Sequence, residues 1–178
     1  MRYLAVMIRI AFYLLPLLVL LVSCKDDPYA DMTDGSLALE QNSGLDLATA
    51  FDAEQTTAVL QTREADRYLS LKTYDPSRQM GILIQLSLPL TGDIAGAYTV
   101  SGDNTLLYIR ESPMMEVYNS ATCRPARGGQ VVITDYDAAN QTLSGTFEGV
   151  MCTGAYQSNA AEIEVSGGRF KSVEAMVL

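Results

Sequence analysis

The amino-acid sequence predicts an all-β domain, an antiparallel β-sandwich or β-barrel of about eight to ten short strands. Three observations carry this prediction. Apolar and polar residues alternate over short stretches, which is the pattern of half-buried strands. Clusters of Gly, Pro, Asp and Asn separate these stretches every ~8–12 residues. After residue 23, no long stretch has the ~3.6-residue period of an amphipathic helix.

The clearest strand signals flank turn-forming segments. They are residues 67–73 and 81–88 around the turn at 75–78, residues 97–101 and 106–111 around 102–104, and residues 129–135 and 142–150 around 137–141. In the first of these strands, alternation separates two faces. The faces are Leu69, Leu71 and Thr73 on one side and Tyr68, Ser70 and Lys72 on the other.

The remaining segments are less regular. Weaker strand signals lie at residues 57–62, 115–120, 162–165 and 169–173. Gly167 and Gly168 separate the last two and predict a bulge or a turn. Residues 45–54 could form either a short helix or an opening strand, and the sequence does not choose between them.

The first 23 residues have the three-part layout of a secretory signal. Arg2 and Arg9 supply positive charge, residues 10–22 are mostly apolar, and the letters LVSC end at Cys24. These four letters resemble the lipobox of bacterial lipoproteins, which implies cleavage before Cys24 and a stable anchor of several acyl chains on it. The alternatives are an uncleaved transmembrane anchor and a cleaved signal with a free Cys24. Arg9 argues against the first, because a charge at bilayer depth costs ~3 kcal/mol.

The residues after this cysteine carry a second signal. The run Cys24, Lys25, Asp26 and Asp27 is similar to the export tag of surface lipoproteins in the Bacteroidota. This resemblance implies an outer-membrane lipoprotein displayed at the cell surface, and a charged tether on the periplasmic face is the alternative. The predicted organisation is a signal peptide at 1–23, a lipidated N-terminus and flexible tether at 24–44, and a single β domain at 45–178.

The composition excludes several kinds of site. The chain of 178 residues contains no His, which excludes Ser-His-Asp triads, Cys-His dyads and imidazole metal sites. Its 12 basic and 21 acidic residues give a net charge of −9, which argues against a nucleic-acid partner because phosphate contacts need Lys and Arg. Glycine-rich phosphate-loop motifs are absent from the sequence. We therefore expect no catalytic residues, no cofactor and no metal.

The cysteine count agrees with export. If Cys24 is lipidated, Cys123 and Cys152 remain as an even pair in an oxidising compartment. We expect a disulfide between them, which would close a loop of about 30 residues and contribute ~3 kcal/mol. Two buried free thiols are the alternative.

Four short motifs follow one another in the second half of the chain. They are Gly96-Ala97-Tyr98, the G-x-V-x-I-T-x-x-D pattern that begins at Gly129, the letters LSGTF at residues 143–147, and Gly168-Arg169-Phe170. Over residues 80–173, this ordered set resembles small Bacteroidota lipoproteins grouped as domains of unknown function. The resemblance implies an all-β fold on a lipid anchor and implies no activity.

Candidate binding residues come from three groups, two of which are charged or polar. Asp135, Asp137 and Asn140 offer oxygen ligands for Ca²⁺, but their spacing does not fit an EF-hand loop, so a hairpin turn capped by Asp137 is preferred. Arg124 and Arg127 form a small basic spot beside Cys123, interpreted as a local salt-bridge group.

Tyrosines are the best binding candidates, because an apolar ring with a polar tip suits a sugar or protein surface. Those in or beside predicted strands are Tyr68, Tyr74, Tyr98, Tyr108, Tyr118, Tyr136 and Tyr156. From these, Tyr98, Tyr108 and Tyr118 are selected as binding residues.

The function that the sequence favours is a membrane-anchored lipoprotein acting as a non-enzymatic binding module at the cell envelope, with a glycan or a protein as partner. One alternative is a periplasmic structural or accessory subunit of an envelope complex. Another is a lipocalin-like carrier, which needs an apolar cavity of ~300 Å³ or more. A hydrolase using carboxylates alone would need two carboxyl groups ~5–10 Å apart in one cleft.

Overall fold

A computed structural model of the chain describes residues 31–41, 49–111, 115–154 and 161–178. Within these ranges the chain forms strands and two short 3-10 helices, Ala53–Gln55 and Ser120–Thr122. The strands are β1 (Leu37–Gln41), β2 (Thr49–Phe51), β3 (Thr56–Arg63), β4 (Asp66–Asp75), β5 (Met80–Leu88), β6 (Gly96–Thr99), β7 (Thr105–Arg110), β8 (Glu116–Asn119), β9 (Gly129–Asp137), β10 (Thr142–Thr153) and β11 (Glu162–Val177). None of these described segments is a helix with the length and hydrophobicity needed to cross a membrane.

The strands form one sheet that closes on itself. Its order is β2-β1-β11-β3-β4-β5-β7-β8-β10-β9-β6, and β10 also pairs with β11. Seven strands therefore form a ring, in the order β11-β3-β4-β5-β7-β8-β10 and back to β11. The remaining four lie outside the ring. β1 pairs with β11 and carries β2, and β9 pairs with β10 and carries β6. The all-β prediction is confirmed, and the architecture is barrel-like. Every pairing is antiparallel except that of β11 with β3, which is parallel.

Two short seams close the ring. In the β11–β3 seam, residues 175–177 pair with residues 58–60. In the β8–β10 seam, Asn119 pairs with Cys152 and Tyr118 with Thr153. The other pairings within the ring are longer, and β4 pairs with β5 from Arg67 to Asp75. The seams are therefore the places where the fewest backbone hydrogen bonds hold the ring together.

The core lies inside the closed sheet and follows the predicted period of two. On β4, Leu69, Leu71 and Thr73 are buried, while Tyr68 and Lys72 face outward, as the sequence predicts. The opposite positions on β5 are Leu86, Ile84 and Ile82, and all three are buried. These side chains belong to a single hydrophobic cluster to which all the longer strands contribute. Each fully buried Leu or Ile stabilises the fold by ~1.5–3 kcal/mol before entropy is counted.

The folded unit begins earlier than the sequence predicts. Residues 37–41, which the sequence assigns to the tether, form β1, pair with β11 and bury Leu37 and Leu39 in the core. The ambiguous segment 45–54 contains β2 and the start of the first 3-10 helix, so its described part is a strand followed by a single turn. Residues 42–48 lie outside the described ranges.

The turn at residues 75–78 is confirmed, and its cap is Asp75. One carboxylate oxygen accepts hydrogen bonds from the Ser77 amide at 2.8 Å, the Ser77 hydroxyl at 2.6 Å and the Arg78 amide at 3.2 Å. The Arg78 guanidinium lies 3.3 Å from the other oxygen. These partners, with the Ser77 hydroxyl first, lower the pKa of Asp75 despite its burial.

The strands around residues 102–104 do not pair with each other. β6 pairs with β9, whereas β7 pairs with β5 and β8. The tight turn is present, with Gly102 at a φ of 60°, but the chain changes neighbours across it. The residues of this segment therefore predict the turn correctly, but they do not predict which strands pair.

The four motif segments lie on adjacent strands, β6, β9, β10 and β11. On β10 and β11 they form two reciprocal pairs, since Phe147 pairs with Gly168 and Phe170 pairs with Gly145. A Cβ atom on Gly168 would lie 2.6 Å from Phe147 Cε2, and one on Gly145 would lie 2.5 Å from Phe170 Cζ. Each phenylalanine ring therefore occupies the space above the glycine of the opposite strand. Two register shifts separate these pairs from the rest of β11, and the one between Val165 and Gly168 lies where Gly167 and Gly168 predict a bulge.

Candidate functional site

The predicted anchor and export residues lie outside the described residues. Cys24, Lys25, Asp26 and Asp27 all precede residue 31, where the description begins. The structure therefore leaves lipidation and surface export as predictions from the sequence.

The predicted disulfide is confirmed. Cys123 and Cys152 are bonded, with their Cα atoms 5.0 Å apart, and both are buried. The bond joins the segment after the second 3-10 helix to β10, at the residue where Asn119 pairs across the β8–β10 seam. The Thr122 hydroxyl also donates to the Cys152 carbonyl at 2.7 Å. The disulfide therefore fastens the shorter of the two seams in the ring.

The three tyrosines selected from the sequence do not form one exposed surface. Tyr108 and Tyr118 are core residues, only 3% and 6% exposed, with ring centroids 6.1 Å apart. The Tyr118 hydroxyl donates to Glu116 Oε2 at 3.0 Å, and the same oxygen is held by Arg110. Tyr98 is half-buried on β6 and donates to the Ile94 carbonyl at 2.7 Å. All three rings are packed on the core, so the structure offers no ligand-binding face built from them.

The most exposed tyrosine described in a strand is Tyr68, at 38%. It stands beside a groove of about 390 Å³ on the outer face of β3, β4 and β5, here called the Tyr68 groove. Its outward-facing residues are Val59, Gln61, Arg63, Tyr68, Ser70, Gln85 and Asp103. The face combines one aromatic ring with amide, hydroxyl, guanidinium and carboxylate groups.

Strand register explains why this face is concave. Tyr68 pairs with Gln61 across β3, and Ser70 pairs with Gln85 across β5. Side chains at every second position share one face, so these residues stand side by side. Ser70 is short and pairs with Val59 on its other side, so a depression lies over these two residues, bounded by Tyr68, Gln61 and Gln85.

The polar groups of the Tyr68 groove are open to a ligand. Within the described residues, the side chains of Gln61 and Arg63 make no hydrogen bond or ion pair, and Gln85 only accepts a long one of 3.5 Å from Thr105. Partial burial raises the pKa of the Tyr68 hydroxyl, as do the charge of Asp66, a hydrogen bond to Asp66 and the charge of Asp103. The hydroxyl is therefore directed to Asp66, and the exposed ring is the part of Tyr68 that a ligand can cover.

A second groove, of about 360 Å³, crosses the outer face of β9, β10 and β11. Glu148 and Glu164 both line it, above a floor that includes Gly129 and Gly149. Both carboxylates are exposed to solvent.

Metal binding finds no support in the described residues. No group of three or more Asp, Glu, Cys or His side chains is arranged there to hold an ion. One Asp137 oxygen accepts hydrogen bonds from the Ala139 amide at 2.8 Å and the Asn140 amide at 3.1 Å. The bond from the Asn140 backbone is the chief cause of the lowered pKa of Asp137. The segment that offered oxygen ligands for calcium is thus a capped hairpin turn.

Comparison with protein-family models, with curated proteins and with solved structures finds no match. The resemblance to small Bacteroidota lipoproteins therefore stays a prediction from the motifs.

The three tyrosines selected from the sequence are packed on the core, whereas Tyr68 is exposed. Tyr68 was among the tyrosines considered, and its position opposite Leu69 and Leu71 in the alternation already placed it on the polar face. Gln61, Arg63 and Gln85 were missed, because isolated polar residues on strands carry no signal until the register places them together.

Proposed function

We propose that this chain is a lipid-anchored module of the cell envelope that binds a saccharide through the Tyr68 groove without catalysing a reaction. The exposed Tyr68 ring, surrounded by planar polar side chains, is the observation that carries the binding part of the proposal. The anchor and the location rest on the sequence before residue 31.

Two observations support an exported, anchored protein. The letters LVSC place Cys24 directly after the apolar run, where lipidation would attach several acyl chains and hold the protein at a membrane. The remaining cysteines, Cys123 and Cys152, form a disulfide, and such bonds persist in oxidising compartments outside the cytosol. The tag from Lys25 to Asp27 favours display at the cell surface.

The chemistry of the Tyr68 groove fits a sugar. A sugar ring has an apolar face of C–H groups and a rim of hydroxyls, so an aromatic ring covers the face while polar groups bind the rim. The amides of Gln61 and Gln85 can both donate and accept, Arg63 donates, and Asp103 accepts. A groove of about 390 Å³ accommodates one or two sugar units and stays open to a longer chain.

The carrier alternative has less support from the described residues. The interior of the closed sheet is filled by one cluster of buried side chains, including Leu37, Phe51, Ile84 and Phe147. The grooves described above lie on the outer face, where a lipid-sized ligand would stay in contact with water. A periplasmic accessory subunit would share the anchor and the disulfide, and differs from the proposal in location and ligand.

Binding is tested by glycan-array screening of the full chain in a polyoxyethylene detergent, followed by titration of the best saccharide. Tyr68→Ala should weaken binding by about 2 kcal/mol, or about thirtyfold, as for a central aromatic residue of an interface. The matched control is Tyr74→Ala, which removes another outward-facing tyrosine of β4 that does not line the groove. Equal loss in both variants, or no saccharide bound by the parent chain, would refute the proposal.

Location is tested by protease treatment of intact cells. The protein should be removed from unlysed cells, and the triple variant Lys25→Ala, Asp26→Ala and Asp27→Ala should protect it. Cys24→Ala should release the protein from the membrane fraction. Protection of both the parent chain and the triple variant would place the protein on the periplasmic side and favour the accessory-subunit alternative.

A further inference from the structure

A pocket of about 290 Å³ lies between the 102–104 turn and the segment after the second 3-10 helix. We call it the arginine pocket. Its wall contains the apolar side chains of Val100, Ala121 and Ala126, and its cations are Arg124 and Arg127. No carboxylate lines it, although the chain carries a net charge of −9.

Hydrogen bonds within the protein hold the Arg124 side chain in one orientation. One terminal nitrogen, Nη1, donates to the carbonyl oxygens of Ala121 at 3.1 Å and Cys123 at 2.9 Å. Cys123 is fixed in turn by its disulfide to Cys152. Within the described part of the chain, Nε and Nη2 of Arg124 make no hydrogen bond, and no carboxylate pairs with this side chain. The guanidinium therefore keeps donors for an external acceptor.

Arg127 differs from Arg124 in having an acidic partner. Its Nη2 atom lies 3.2 Å from Glu162 Oε1, and both side chains are about half exposed, at 47% and 46%. An exposed pair of this kind is weak, because water and salt compete with it. The interpretation of a local salt-bridge group therefore holds for Arg127 and does not hold for Arg124.

We propose that the arginine pocket binds a small molecule carrying one carboxylate, of the size of a single hexuronate. The planar guanidinium of Arg124 matches a carboxylate in a two-bond arrangement, and the apolar wall suits a compact carbon skeleton. A volume of about 290 Å³ limits the ligand to about one sugar unit. This site is separate from the Tyr68 groove and rests on different residues, so each proposal can fail without the other.

The test is calorimetric titration of the full chain, in a polyoxyethylene detergent, with D-glucuronate and with D-glucose. The two sugars share a ring and differ in the carboxylate. Glucuronate should bind at least tenfold more tightly than glucose, with affinity falling as salt is raised. Arg124→Gln should abolish this preference, and Arg124→Lys should recover only part of it, because it restores the charge and not the planar fork.

Three controls keep the result specific. Lys72→Gln removes one exposed positive charge elsewhere on the chain and should leave glucuronate affinity unchanged, as should Tyr68→Ala. Thermal unfolding of each variant confirms that it folds. Inorganic phosphate is the competing anion, and Arg124-dependent binding of phosphate without glucuronate would refute the carboxylate assignment. Equal affinity for glucuronate and glucose, no binding of glucuronate, or unchanged affinity in Arg124→Gln would overturn the site itself.

Discussion

The stacking of Phe147 on Gly168 can be tested by adding one methyl group. A Cβ atom on Gly168 would lie 2.6 Å from the Phe147 carbonyl oxygen and 2.6 Å from Cε2 of its ring. Gly168 does not lie in the positive-φ region, so alanine there would face a steric cost and no backbone-conformation cost. The carbonyl belongs to the β10–β11 pairing and cannot rotate away as a side chain could.

The expected cost follows from this crowding. Overfilling a packed site costs ~1–3 kcal/mol, and the upper half of that range applies here because one of the crowded atoms is backbone. We therefore expect Gly168→Ala to destabilise the fold by about 2–3 kcal/mol. For a domain of this size, each kcal/mol lowers Tm by ~2–4 °C. In a Phe147→Leu background the substitution should cost less, because the ring contact is removed and only the carbonyl contact remains.

The assay is urea unfolding of the oxidised protein followed by circular dichroism, with ΔG taken from linear extrapolation. The matched control is Gly128→Ala, since a Cβ atom there meets nothing within 4 Å. That change should be neutral or stabilise the fold by ~0.4–1 kcal/mol, because alanine lowers the conformational entropy of the unfolded chain. The reasoning is refuted if Gly168→Ala unfolds within 0.5 kcal/mol of the parent, about the scatter of neutral surface changes, or if both alanine variants lose equal stability.

Two further predictions concern the disulfide and the Asp75 turn. Replacing Cys123 and Cys152 together by serine should cost about 3–4 kcal/mol, because the bond closes a loop with a sequence separation of 29 residues; reductant should destabilise the parent and leave the double variant unchanged in urea unfolding. Asp75→Asn should make the free energy of unfolding depend less on pH in the acidic range. The folded pKa of Asp75 lies below its ordinary value of 3.8, so its contribution is present above that pH and is lost as pH falls through the lower folded value. Unfolding curves from pH 7 to pH 3 should fall more steeply for the parent than for the variant, and parallel curves would contradict the role of this turn.

The hairpin of β4 and β5 shows what the sequence can predict. Alternation and a turn signal are local features, and they placed the two strands within two residues of their observed ends. β1 has only five residues, and its assignment depends on pairing with β11, more than a hundred residues away. Such pairing leaves no local pattern, so the sequence predicts a tether where the first strand lies.

The lack of a local pattern also explains why Tyr108 was selected as a binding residue although it is buried. Residues 106–109 are apolar at four consecutive positions, so alternation could not show which face of β7 lies inside. Tyr108 proved to be in the core. On β4, by contrast, Leu69 and Leu71 alternate with Tyr68, Ser70 and Lys72, and the outward position of Tyr68 follows from the sequence alone. The groove beside Tyr68 could not be predicted, because it depends on the register of β3, β4 and β5.

The pairing of early strands with the last one sets the order in which the fold can be completed. β1 and β3 both pair with β11. The ring therefore closes only when residues 162–177 have paired with β10 along one edge and with β3 along the other. Pairings so distant along the chain slow folding, because the long intervening loop must be ordered before the contacts form. For a polypeptide that is made from its N-terminus, this arrangement delays completion of the sheet until the final strand has been synthesised.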